Sequence, residues 1–119
     1  MSTRACYTFK DDHDEFHVYK HCDGYPSGAA EFITNALHLA WKLPRFEADE
    51  FGASFVAANK NDGGGVRLTH DWQNHGDLEY RYLIYMRDDE LYVDAFDMGE
   101  KPIFSGNLAA FTEFSKTYN

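Results

Sequence analysis

Six consecutive residues, His21-Cys22-Asp23-Gly24-Tyr25-Pro26, gather an imidazole, a thiol, a carboxylate and a phenol where a strand-like run meets a helix-like run. Alternation on the preceding strands puts Cys6, Thr8, His17, Tyr19 and His21 on one face, leading into Asp23 and Tyr25. A thiol beside an imidazole is the minimum for nucleophilic catalysis, because the ring draws off the thiol proton. Asp23 would orient His21. The catalytic candidates are therefore His21, Asp23, Tyr25, His17 and Cys6, for a small hydrolase or a nucleotide-modifying enzyme. The same residues also suit a polar sheet face and a tight turn with no catalysis at all.

Metal and cofactor chemistry find less support. On a strand, His17 and His21 stand about 13 Å apart, too far to share an ion. His70, Asp71, His75 and Asp77 lie in one polar connection, but without a second ligand pair they read as a turn, with Asn74 and Asp77 bonded to backbone and Gly76 at positive φ. Gly63-Gly64-Gly65 lacks the Lys-Ser/Thr of a phosphate-binding loop and opens a strand rather than a helix. The expectation is no metal and no cofactor.

A third constellation is acidic. Asp88, Asp89, Glu90, Asp94, Asp97 and Glu100 crowd one turn-and-strand region, where Asp94 shares a strand face with Tyr92 and Phe96. Asp11, Asp12, Asp14 and Glu15 mark the tip of the first hairpin. Carboxylates interleaved with rings can imitate a row of phosphates and occupy a basic groove. The expected partner-binding residues are thus Asp88, Asp89, Glu90, Tyr92, Asp94, Asp97 and Glu100. A solvated negative face is the plainer reading.

The elements that position these groups follow from periodicity. Thr3–Lys10 and Glu15–Cys22 alternate as a hairpin around Asp11–Asp14, in a register that sets Lys10 against Glu15 and Cys6 against Tyr19. That register turns Cys22 to the face opposite Cys6, the core side, and so forbids a disulfide. Pro26 opens a helix whose apolar positions recur from Ala29 to Leu43, before Pro44 stops it. A second helix is expected at 47–59, with Glu47, Asp49 and Glu50 in its first turn. Asn61–Gly65 gives slack, Val66–Trp72 reads as a strand, and Leu78–Arg87 and Leu91–Met98 read as two more. Ile103–Ser105 adds a short one, and Asn107 caps a closing helix at 108–116. The order is ββααβββ(β)α: an α+β fold, with an antiparallel sheet of about five strands and helices packed on one face.

The 119 residues read as one domain, spanning 1–119. Twenty acidic against eleven basic side chains give a net charge of −9. That balance argues against direct binding to nucleic acid or anionic membranes and suits a basic partner. Residues 1–11 lack a signal-peptide pattern, and no apolar run approaches the length of a membrane span. A cytoplasmic protein is expected.

The segments Ser2-Thr3-Arg4-Ala5, His17-Val18-Tyr19-Lys20-His21, Asp23-Gly24-Tyr25-Pro26 and His75-Gly76-Asp77-Leu78-Glu79-Tyr80-Arg81-Tyr82 resemble a group of small uncharacterised proteins of phages and prophages. Those proteins share a Thr-Arg-Ala strand and a His-x-Asp-Gly-Tyr-Pro turn before a helix. The resemblance covers most of the first 85 residues. Many of the group carry Trp where this chain has Cys22, so a thiol activity gains nothing from it. What it implies is context: an accessory protein in the host cell, for which blocking host defence or host nucleic-acid enzymes is a recurrent role. The expectation is a non-enzymatic inhibitor of the anti-CRISPR or anti-restriction type, bound to a basic host protein or nucleoprotein complex. A homodimer stays open.

Overall fold

A computed structural model describes residues 2–60, 65–98 and 100–118. The expected loop at Asn61–Gly65 lies, apart from Gly65, outside the described residues. The chain runs β1 (Ala5–Lys10), β2 (Glu15–Lys20), α1 (Pro26–Leu39), α2 (Ala48–Asn59), β3 (Val66–Thr69), a 3-10 turn (Trp72–Asn74), β4 (Tyr80–Arg87), β5 (Glu90–Asp97), β6 (Pro102–Asn107) and α3 (Leu108–Thr117). The α+β class is as the periodicity predicts, and the order of elements matches in part, with a 3-10 turn added between β3 and β4. The sheet is not: it has six strands, ordered β3-β2-β1-β4-β5-β6, and is mixed rather than antiparallel. β1 and β4 run parallel at its centre, Ala5 beside Tyr80 and Phe9 beside Ile84. The long route through both helices makes that parallel return possible. β6 is a full strand of six residues along β5, not a short addition.

The first hairpin forms in the expected register, with Cys6 opposite Tyr19 and Lys10 opposite Glu15. Ala5, Tyr7 and Phe9 therefore face the helices with Val18, Tyr82, Ile84, Val93 and Ala95, all essentially buried. Rings supply much of the packing between layers. Tyr7 meets Phe55 at 4.6 Å between centroids, Phe9 meets Phe51 at 5.7 Å, and Tyr82 meets Phe111 at 5.8 Å. The Tyr7 hydroxyl has no hydrogen-bond partner in this layer, and burial pushes its pKa well above the ordinary value.

Several boundaries move for local reasons. α1 starts at Pro26, whose fixed φ suits the first helical position, and ends at Leu39, before Pro44 can act. β3 stops at Thr69, whose hydroxyl donates to the Asp71 carbonyl at 3.0 Å, and Asp71 then accepts from Gln73 N at 2.9 Å. Trp72, expected at the end of a strand, thus begins a 3-10 turn. Asn107 caps α3 as anticipated, accepting from Ala110 N at 2.8 Å. Asp11 ties the first hairpin to α2: Oδ1 accepts from His13 N and Asp14 N, and Oδ2 from Ala48 N at the helix start. Those three amides, Ala48 first, hold its carboxyl below the ordinary range. Among the described residues no helix is long and apolar enough to cross a membrane.

Candidate functional site

The helices cover one face of the sheet and leave the other to the polar residues of the alternation. Across this helix-free face the strands align His17, Thr8, Leu83, Asp94 and Ser105 in one row. A neighbouring row is Arg67, Tyr19, Cys6, Arg81 and Phe96. The connection between β3 and β4 folds over this second row. There the Arg81 guanidinium lies 4.4 Å from the Trp72 ring centroid and 4.5 Å from that of Phe96. Tyr19 stacks on His75 at 4.1 Å, and the Arg67 guanidinium lies over the same phenol ring at 5.2 Å. Beneath this cover Cys6 is fully buried, and burial drives its thiol pKa up to about 12, only partly opposed by Arg81. A thiol so protonated at neutral pH is a poor nucleophile.

The imidazoles expected to activate that thiol bond elsewhere. His17 Nδ1 sits 2.8 Å from Thr8 Oγ1, and its Nε2 sits 3.3 Å from Glu15 Oε2. This is a hydroxyl–imidazole–carboxylate chain in form. Thr8, however, is 2% exposed and sits mid-strand between β2 and β4, so the amides around it serve the sheet. Nothing there resembles the pair of free amides that stabilises an oxyanion.

His21 Nδ1 lies 2.9 Å from the Tyr19 hydroxyl, and the Tyr25 hydroxyl donates to Asp23 at 3.4 Å. The turn between them is held by its backbone. Asp23 adopts φ 61°, and Gly24 N donates to Thr3 O at 2.9 Å. The buried Tyr82 hydroxyl donates to Gly24 O. A Cβ on Gly24 would fall 2.5 Å from that of Ala5, which is why glycine stands there. Cys22 is exposed rather than turned toward the core, and both cysteines are free. Asp77 pairs with Arg4 at 3.1 Å rather than with backbone.

The other end of the helix-free face is open. Because β1 and β4 run parallel, the β1–β2 and β4–β5 tips emerge side by side. Between them is a groove of about 560 Å³, lined by Asp11, Asp12, Asp88, Asp89 and Asp94 with Tyr85, Leu83, Phe46 and Pro44. Lys10 and Arg87 stand at the same groove. Asp94 Oδ1 accepts from Tyr85 at 2.8 Å and from Ser105 at 2.7 Å. Burial, and then the bond to Asp94, raise the Tyr85 pKa, so it stays a neutral donor. Asp88 and Asp89 form a two-residue hairpin loop with φ 53° and 64°, the conformation that Asn-Gly fits best. Carboxylates occupy both left-handed positions at some backbone cost.

No protein-family model, curated protein or solved structure matches this chain. The site is therefore read from its own chemistry.

The expected acidic residues do not form one patch. Asp88 and Asp89 lie at one end of the β4–β5 hairpin, whereas Asp97 and Glu100 lie at the other. At the rise of a strand, Glu90 and Asp97 are about 23 Å apart. Glu90 accepts from Asn107 at 3.2 Å, Asp97 accepts from Lys101 N at 3.0 Å, and Tyr92 packs against Tyr85 at 5.9 Å. What the fold brings together instead is Asp12, Asp88, Asp89 and Asp94. Tyr85, Leu83 and Phe46 are the residues that pattern-reading missed. The two-residue turn was the available signal, since it pairs Tyr85 with Tyr92 and Leu83 with Asp94.

Proposed function

We propose that this chain is a non-enzymatic binding protein of the phage-accessory kind. Its acidic, ring-floored groove docks on a basic surface of a host nucleic-acid-handling complex, such as a CRISPR effector or a restriction enzyme, in the host cytoplasm. One observation carries this reading: the two hairpin tips present Asp12, Asp88 and Asp89 around a groove floored by Tyr85 and Leu83. Carboxylates at a rim and rings in the floor are what a Lys- or Arg-rich protuberance needs. The net charge of −9 adds long-range attraction to a positive partner. The enzymatic alternative around His21, Asp23 and Tyr25 gains no comparable support, since those groups bond within the turn and to Tyr19.

The test is retention of host proteins on the tagged chain at low and at high salt, beside the double variant Asp88→Lys/Asp89→Lys. The reading expects a nucleic-acid-handling protein that is held at low salt, released at high salt, and absent with the variant. Equal retention by both forms would remove the groove from the argument. No retention at any salt would remove the reading.

A further inference from the structure

The two edges of the sheet are unlike. β6, at one edge, carries Pro102, lies beside a register shift at Ala95/Phe96, and runs directly into α3. These are devices that discourage strand addition. β3, at the other edge, has the sequence Val-Arg-Leu-Thr, without proline or carboxylate. Leu68 on it is 81% exposed, and its neighbour Phe16 on β2 is 41% exposed.

The backbone polarity of this edge follows from one bond. His21 N donates to Gly65 O at 2.8 Å, and β2 and β3 are antiparallel. By the two-residue period of such a ladder, Gly65, Arg67 and Thr69 turn their amides and carbonyls to β2, while Val66 and Leu68 turn theirs outward. We propose that this edge joins a second copy of the chain, β3 to β3 and antiparallel, about a twofold axis through Leu68.

The fold restricts the register. Residues facing each other across an antiparallel pair must share a sheet face, so a twofold axis has to pass through a residue rather than between two. An axis at Leu68 makes it a hydrogen-bonded pair with its own copy, using the outward amide and carbonyl. It sets Arg67 opposite Thr69, so no like charges meet. Arg67 is already drawn back over the Tyr19 ring on the helix-free side. On the helix side, Phe16, Val18 and Leu68 of one copy continue into Leu68, Val18 and Phe16 of the next. For a chain of charge −9, an edge strand with an arginine and no acid is where two copies approach with least repulsion. So short a contact falls below the ~1,200 Å² of a standard stable interface and belongs to the weak, concentration-dependent class. It uses the opposite margin of the sheet from the open groove.

Analytical ultracentrifugation over a concentration series tests this, with cysteine cross-linking to read the register. The wild type is expected to shift from monomer to dimer as concentration rises. Leu68→Lys, which faces two ammonium groups across the axis, should raise the dissociation constant at least about tenfold. In a Cys22→Ser background, Leu68→Cys should oxidise to a dimer, whereas His70→Cys, also at an exposed position, should not, since position 70 lies two residues from the axis. Both cysteines replace exposed residues, and circular dichroism confirms that each variant is folded before it is compared. A wild type that stays monomeric to about millimolar concentration overturns the proposal. So does a dimer indifferent to Leu68→Lys, or equal cross-linking at positions 70 and 68. A monomer whose Leu68 amide becomes protected only on adding a strand-forming peptide would give the edge to a foreign strand and overturn it too.

Discussion

The helix-free face has two ends, built by the same strands and the same alternation, which have opposite fates. At one end the β3–β4 connection folds back, and the ionisable groups there lie against rings: Arg81 against Trp72 and Phe96, Tyr19 against His75 and Arg67. At the other end the β4–β5 connection does not fold back, and Asp12, Asp88 and Asp89 border a groove floored by Tyr85 and Leu83. Residue type does not separate the two. What separates them is whether a connection is long enough to return over the sheet: ten residues lie between β3 and β4, but only two between β4 and β5. The covered end holds the fold together, whereas the open end keeps Asp12, Asp88 and Asp89 in solvent.

Four variants probe this division, beginning with the one of greatest effect. Trp72→Ala strips the cover from Arg81 and Cys6. We expect a loss of about 2 kcal/mol in denaturant unfolding, below the figure for a fully buried Trp because this one is partly exposed. Native-state labelling of the Cys6 thiol should become measurable in the same variant. If the thiol stays inert, the cover is not what shields it. Asp88→Lys/Asp89→Lys should leave the thermal midpoint nearly unchanged while weakening partner binding by at least tenfold, about 1.4 kcal/mol. A large stability change would mean that the open end is structural after all.

Asp11 is the exception within the open end, because its carboxylate caps the start of α2. Asp11→Ala should cost about 1 kcal/mol near neutral pH. Its pKa is lowered by folding, so the contribution is complete above the ordinary carboxylate value of 3.8 and fades as pH falls through the lowered one. The difference between wild type and variant, followed by acid titration of stability, should therefore close at low pH. A gap constant with pH would assign the loss to something other than the carboxylate. The smallest effect is a gain. Asp88→Asn/Asp89→Gly suits the two-residue loop better and should stabilise by about 0.5 kcal/mol while weakening binding. A variant both more stable and equally tight would mean that the acidic turn serves no partner.

Much of the fold was legible because it is local. The Asp11–Asp14 loop and the alternation around it determine the β1–β2 register, and Asp88-Asp89 does the same for β4 and β5. The parallel union of β1 with β4 was not legible. Ala5-Tyr7-Phe9 and Tyr80-Tyr82-Ile84 each announce a buried face, but nothing in either run says which strand lies beside it. The candidate site went unread for the same reason, since the meeting of the two tips is a product of that union. His21 and Asp23 drew attention by density alone, whereas their spacing answers to the left-handed backbone of Asp23 and the close approach of Gly24 to Ala5.

The parallel union also has a consequence during synthesis. Ala5 pairs with Tyr80, and Phe9 with Ile84, so each of these partners is 75 positions downstream. A chain emerging from the ribosome can close the β1–β2 hairpin early and form α1 and α2. Until β4 has emerged, however, the inner edge of β1 stays unpaired, with Tyr7 and Phe9 only half enclosed. Distant pairing of this kind slows folding and lengthens the interval in which an apolar edge is open to other chains. The interval in which that edge stands open therefore closes only once β4 docks beside β1.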